Sequence, residues 1–124
     1  MMLRSAALLA ALAGLVGAAA PAAAQQAATG TGGSFRVLDK ITGDVTDVEL
    51  QNGQAATIGH LTIALGQCRY PADNASGDAY EWLTIFYQSV AAPVFQGWMI
   101  ASAPALNAMD HPRYDVWALR CTTS

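Results

Sequence analysis

The 124-residue chain predicts an all-β domain: a small antiparallel sandwich or barrel of about six or seven strands, with one short helical turn near Pro104–Met109. Three observations predict it. Apolar and polar residues alternate with a period of two, most clearly from Leu61 to Leu65 and from Tyr80 to Tyr87. Those runs are rich in aromatic and β-branched side chains, which suit a pleated, half-buried surface. Turn pairs such as Thr42-Gly43 and Asn52-Gly53, and a Pro/Asn/Ser/Gly cluster from Pro71 to Asp78, separate them.

Residues 1–24 stand apart from this pattern. Met1-Met2-Leu3-Arg4 is followed by an uncharged run from Ser5 to Ala20, then Pro21 and Ala22-Ala23-Ala24. A basic start, an apolar centre and small residues before a cut form the layout of a secretory signal peptide, here cleaved after Ala24. The competing reading is an uncleaved membrane anchor, since the run approaches the ~20 residues that cross a bilayer. Alanine and glycine dominate it and leucine is sparse, which favours the signal and implies no stable membrane insertion once the signal is removed. Residues 25–34, made of Gln, Ala, Thr, Gly and Ser, show no periodicity and read as a flexible leader. The single β domain is expected over residues 35–124.

Within that domain Phe35, Val37 and Ile41 lead to Thr42-Gly43, and Val45 to Leu50 resumes an extended pattern, so a hairpin is expected there. Leu61, Ile63 and Leu65 share one strand face. Cys68 breaks that parity, and a bulge at Gly66 restores it. Tyr80, Trp82, Thr84 and Phe86 lie on one face of the next strand, and Glu81, Leu83, Ile85 and Tyr87 on the other; a strand apolar on both faces is central or covered. Val94 to Ala101 gives another strand. Ser102 is placed to cap a short helix that Pro104 begins and Pro112 stops. Tyr114 to Cys121 forms a final strand, with Trp117, Leu119 and Cys121 on one face and Tyr114, Val116 and Ala118 on the other. Trp82, Trp98 and Trp117 are expected to fill the core, as a small β domain needs large side chains.

The composition restricts function. The 53% hydrophobic content is inflated by the alanine-rich leader. Without Arg4, five basic side chains face nine acidic ones, a balance of −4 for the mature chain. Nucleic-acid binding requires a basic face that displaces phosphate counterions, and these scattered cations do not supply one. Two cysteines in an exported chain make one possible pair, Cys68 with Cys121, read as a structural disulfide. Their spacing is not that of a Cys-x-x-Cys redox site.

No complete catalytic, metal or nucleotide motif is present, so no cofactor is expected. His60 and the pair Asp110-His111 are the side chains suited to acid–base chemistry at neutral pH, yet two lone histidines make a weak zinc signal. A Ser102, His111 and Asp115 arrangement lacks the elbow that presents a nucleophilic serine. Asp39, Asp44, Asp47 and Glu49 lack the ligand density and glycine of a calcium loop, and read as a solvated hairpin face. Asn74-Ala75-Ser76 matches a glycosylation acceptor by chance.

Three segments, Leu38–Gly43, Gly97–Leu106 and His111–Cys121, together resemble an exported alphaproteobacterial domain-of-unknown-function family, DUF2155-like. The resemblance spans roughly Phe35 to Cys121. It implies a small periplasmic β protein and carries no activity with it; Arg113 and Arg120 stand where an aliphatic and an acidic residue are expected. The functional expectation is a non-enzymatic periplasmic accessory or adaptor domain for envelope proteins, binding through the Ala101–Tyr114 region or a strand edge. Tyr80, Tyr87, Asp110, His111 and Tyr114 are the candidate surface. The alternatives are a small-ligand or glycan module using exposed aromatics, and a hydrolase using His111 with Asp110 or Asp115.

Overall fold

The computed structural model describes residues 26–123. The expected signal peptide and its cut after Ala24 lie outside the described residues. Eight strands follow in order: β1 (Ala27–Thr29), β2 (Gly32–Asp39), β3 (Val45–Gln51), β4 (Ala55–Ile58), β5 (Leu61–Pro71), β6 (Tyr80–Tyr87), β7 (Phe95–Ile100) and β8 (Tyr114–Thr122). They form a sandwich of two antiparallel sheets. One runs β1-β5-β6-β7, with β4 also paired to β5, and the other runs β3-β2-β8. The long β5 takes β4 along Leu61–Ala64 and β1 along Arg69–Pro71. Among the described residues no helix is long and apolar enough to cross a membrane.

The period-two pattern builds the core as expected. Phe35 and Val37 of β2, Leu61, Ile63 and Leu65 of β5, Leu83 and Ile85 of β6, and Tyr114, Val116 and Ala118 of β8 face one another between the sheets. Gly43 and Gly53 hold positive φ angles in their turns, as hairpin geometry requires. The β5–β6 register shifts between Leu65 and Cys68, which confirms the bulge and returns Cys68 to the core. Cys68 then joins Cys121 in a disulfide that ties β5 to β8 across the sandwich.

Four expectations are corrected. Residues 27–34, read as a flexible leader, form β1 and the start of β2, and Gly30, Gly32, Gly33 and Ser34 are buried. The chain passes from one sheet to the other at Gly30-Thr31, where Gly30 N–H donates to Cys68 O and Thr31 N–H to Thr122 O. These residues are small because backbone approaches backbone there. A Cβ on Gly32 would sit 2.1 Å from Leu50 O, and one on Gly33 3.0 Å from Cys68 Sγ. Gly32→Ala is therefore expected to cost about 3 kcal/mol by overpacking, read as a lower urea midpoint; an unchanged midpoint would show that β3 yields freely.

The second correction concerns β8. A register shift opposite Ser34/Phe35 inserts Leu119 as an extra residue, so Cys121 shares the buried face with Tyr114, Val116 and Ala118 instead of with Trp117. Third, the tryptophans do not fill the core. Trp82 and Trp98 meet edge to face at 5.4 Å, half-buried on the outer surface of the larger sheet, and Trp117 is half-buried on β8. Fourth, the expected short helical turn is present, as a 3₁₀ turn over Pro104–Leu106, but the expected Ser102 cap is not: the turn has no side-chain cap. Ser102 instead hydrogen-bonds through its N–H and Oγ to the Asp78 carboxylate.

Candidate functional site

Two features converge where the loop after β7 enters β8. The first is a cap of aromatic and imidazole rings. His111 Nδ1 accepts hydrogen bonds from the N–H groups of Arg113 at 3.0 Å and Tyr114 at 3.2 Å. The neutral ring therefore carries its proton on Nε2. Tyr87, at the end of β6, places its ring 4.7 Å from that of His111 and 6.2 Å from that of His60. Tyr114 is buried at 1% exposure, and its phenol oxygen accepts the His60 N–H at 3.1 Å. The fold thus gathers Tyr87, His111, Tyr114 and His60 from separate parts of the chain.

Charged groups brace this cap. Arg113 forms a forked pair with Asp39, closest at 3.0 Å, and its guanidinium lies 5.3 Å from the Tyr114 ring centre. The Arg113 hydrogen bonds, aided by the N–H groups of Ile41 and Thr42, hold the Asp39 carboxyl down at about 2. Lys40 donates to His111 O at 2.7 Å and stands 3.6 Å from Asp115. An aliphatic residue at position 113 would leave Asp39 without this charge partner. Farther along the hairpin Asp47 pairs with Arg36 at 2.6 Å, so Asp39 and Asp47 of the acidic series are held in separate ion pairs.

The second feature is a groove. Asn107 ties the loop to the β7 edge by donating to Trp98 O at 2.8 Å. The free side of β8 is left facing Pro104, Ala105, Ala108 and Met109 across a cavity of about 330 Å³, with Asp115, Val116 and Trp117 as the opposite wall. Among the described residues β8 pairs with β2 alone, so its other edge is open. Lys40 N–H donates to Arg113 O in the β2–β8 register. Alternate residues point oppositely in an antiparallel ladder, so the Val116 N–H and C=O face the groove. Leu106, next to Ala105 in the 3₁₀ turn, is 76% exposed.

The other candidates are dispersed. Tyr80 lies on the outer sheet face, where Ala27, Arg69, Tyr80, Trp98 and Ile100 line a separate cavity of about 310 Å³. Asp110 is exposed beside the cap. No hydrogen bond joins Ser102, His111 and Asp115 among the described residues; Ser102 is held by Asp78, and His111 Nδ1 by backbone. Nor do the described residues include a group of three His, Cys, Asp or Glu side chains placed to hold a metal.

One chemically distinctive residue escaped the sequence reading. Glu81 is fully buried on the core face of β6, opposite Cys68, and neither carboxylate oxygen completes a hydrogen bond. Burial pushes its pKa up to about 8, opposed only by the backbone N–H of Leu119 directed toward it. The signal was parity: position 81 alternates in phase with Leu83 and Ile85.

Residues 33–121 match the profile of the family described as "Uncharacterized protein conserved in bacteria (DUF2155)". The chain belongs to the DUF2155 family. The matched span holds both cysteines, Glu81, the ring cap and the groove. A stretch of 94 residues is 33% identical to "Uncharacterized protein RP359" of Rickettsia prowazekii (strain Madrid E), covering 73% of this chain and 61% of that protein. The chain therefore spans less than two thirds of that relative's length. No solved structure matches the DUF2155 chain.

Proposed function

We propose that this protein is a non-enzymatic periplasmic accessory domain that docks onto an envelope protein through the groove between the Pro104–Met109 loop and β8. The observation that supports this reading is the open β8 edge in that groove: apolar walls from Ala105, Ala108, Met109 and Val116 flank an unpaired backbone. An extended partner segment supplies both backbone hydrogen bonds and apolar side chains to such an edge. Export is supported by the layout of residues 1–24.

The test places a photocrosslinking side chain at Ala105 or Ala108, with Thr46 on the hairpin as control, and analyses periplasmic extract by mass spectrometry. One defined envelope protein is expected on both loop positions and not on the control. Ala105→Arg is expected to abolish that adduct while changing stability by less than about 0.5 kcal/mol, since the position is exposed. Recovery of uncrosslinked monomer from every position, under conditions that trap known complexes, overturns the reading.

A second reading has its own observation. The groove of Ala27, Arg69, Tyr80, Trp98 and Ile100, with Arg69 5.8 Å from the Trp98 ring centre, offers a stacking surface for a sugar ring. Quenching of tryptophan fluorescence by an oligosaccharide, abolished by Trp98→Ala, supports it; a flat titration removes it.

A further inference from the structure

The interior of the sandwich places a buried acid beside a buried sulfur. Cys68 and Glu81 are directly paired across the β5–β6 ladder, and both are 0% exposed on the core face. Side chains of directly opposed residues stand with Cβ atoms roughly 5 Å apart. The Glu81 carboxyl has no hydrogen-bond partner to hold its proton elsewhere, and the Leu119 N–H at the β8 bulge is the polar group aimed at it. The two sulfurs differ in access. Cys121 is 8% exposed, whereas the backbone of β2 at Gly33 lies against Cys68 Sγ.

We propose that Glu81 is the proton donor to Cys68 when the Cys68–Cys121 disulfide is opened by a small dithiol, and the proton acceptor when it closes. The more accessible Cys121 Sγ is the sulfur attacked. A dithiol thiolate forms a bond to Cys121 Sγ, the Cys68–Cys121 bond breaks, and its electron pair leaves on Cys68 Sγ. A bare thiolate in that apolar interior is costly, and the neighbouring carboxylic acid neutralises it. Cys68 becomes a thiol and Glu81 a carboxylate, which regains a proton from water. The dithiol's second thiolate then attacks its own sulfur in the mixed disulfide. It departs as a cyclic disulfide, and Cys121 leaves as a thiolate that is protonated by water. The dithiol supplies both electrons. Burial holds Glu81 protonated and neutral at neutral pH, with a pKa raised to about 8, so the donor carries its proton before reduction begins.

The experiment follows reduction of the folded full-length protein by dithiothreitol from about pH 6 to about pH 10, with rates expressed per dithiothreitol thiolate. The wild-type rate is expected to stay level up to pH 8 and fall above it as the proton is lost. Glu81→Gln is expected to be roughly tenfold slower at neutral pH and to lack the break, and Glu81→Asp to restore it. A merely structural carboxylate gives the opposite sign: as the pH rises the sandwich loses stability and reduction speeds up. That acceleration, or a Glu81→Gln profile superimposing on the wild type, overturns the assignment. Failure of the groove reading leaves this outcome untouched, because no groove residue takes part.

Discussion

Wild-type protein is expected to lose stability steadily between pH 4.5 and 8, and the Glu81→Gln variant is expected not to. The cause is the single fully buried carboxyl on β6. Its ordinary value of 4.5 is raised to about 8 in the folded state, chiefly by burial. The native state therefore holds a proton that the unfolded chain gives up readily, and unfolding releases it. Stability must fall with rising pH across that window, because the unfolded state binds fewer protons than the native one. The contribution of neutral Glu81 is complete below pH 4.5, declines progressively to pH 8, and is absent beyond it. A shift of this size corresponds to at most about 5 kcal/mol, a large share of the ~5–15 kcal/mol that stabilises a domain. Urea titrations at a series of pH values check the expectation; parallel curves for wild type and Glu81→Gln would show that the carboxyl finds a partner in solution.

The second large effect is expected from Cys68→Ala/Cys121→Ala. Closing a loop with a sequence separation of 53 restricts the unfolded chain enough to stabilise the fold by roughly 4 kcal/mol in the chain-entropy treatment. Geometry distributes that loss unevenly. The disulfide joins β5 to β8 just beyond the Leu119 bulge, and the Gly30-Thr31 corner hydrogen-bonds to Cys68 O and Thr122 O on either side of it. Hydrogen exchange in the double variant is therefore expected to accelerate first in β1 and in Arg120–Thr122, with central β6 keeping its protection. A urea midpoint corresponding to a loss below about 1 kcal/mol would show that the sheets hold together without the covalent tie.

The architecture was legible wherever a strand buries one face and exposes the other. Leu61, Ile63 and Leu65 announced β5, and the out-of-phase Cys68 announced its bulge. The same reasoning failed on β8, because Trp117 and Leu119 are apolar and extend an apparently continuous face to Cys121. Nothing in that run marks Leu119 as the extra residue; the register against Ser34 and Phe35 does. The tryptophans misled for a related reason. Hydrophobicity predicts burial, but Trp82 and Trp98 satisfy it against each other on the outside of the sheet. The Gly-rich start was silent because glycines packed against backbone carry no side-chain period. The ring cap assembles His60, Tyr87 and the His111–Tyr114 pair from three distant stretches, and its groove depends on β8 lying at a sheet edge, which strand order alone determines.

The Gly30-Thr31 corner bears on how the domain comes into being. Thr31 is hydrogen-bonded to Thr122, 91 positions later, and β2 has β8 as one of its two neighbours. A chain emerging from its N-terminus first, as any chain does from a ribosome or through a membrane pore, cannot complete the smaller sheet until β8 arrives. Long-range strand pairing of this kind is slow to close. Cys68 consequently waits through the interval as a solitary thiol, with no intramolecular partner until Cys121 emerges. Those seconds of synthesis are when mispairing with another chain's thiol is open to it, and an oxidant acting early would trap a dimer that the finished fold has no means of forming.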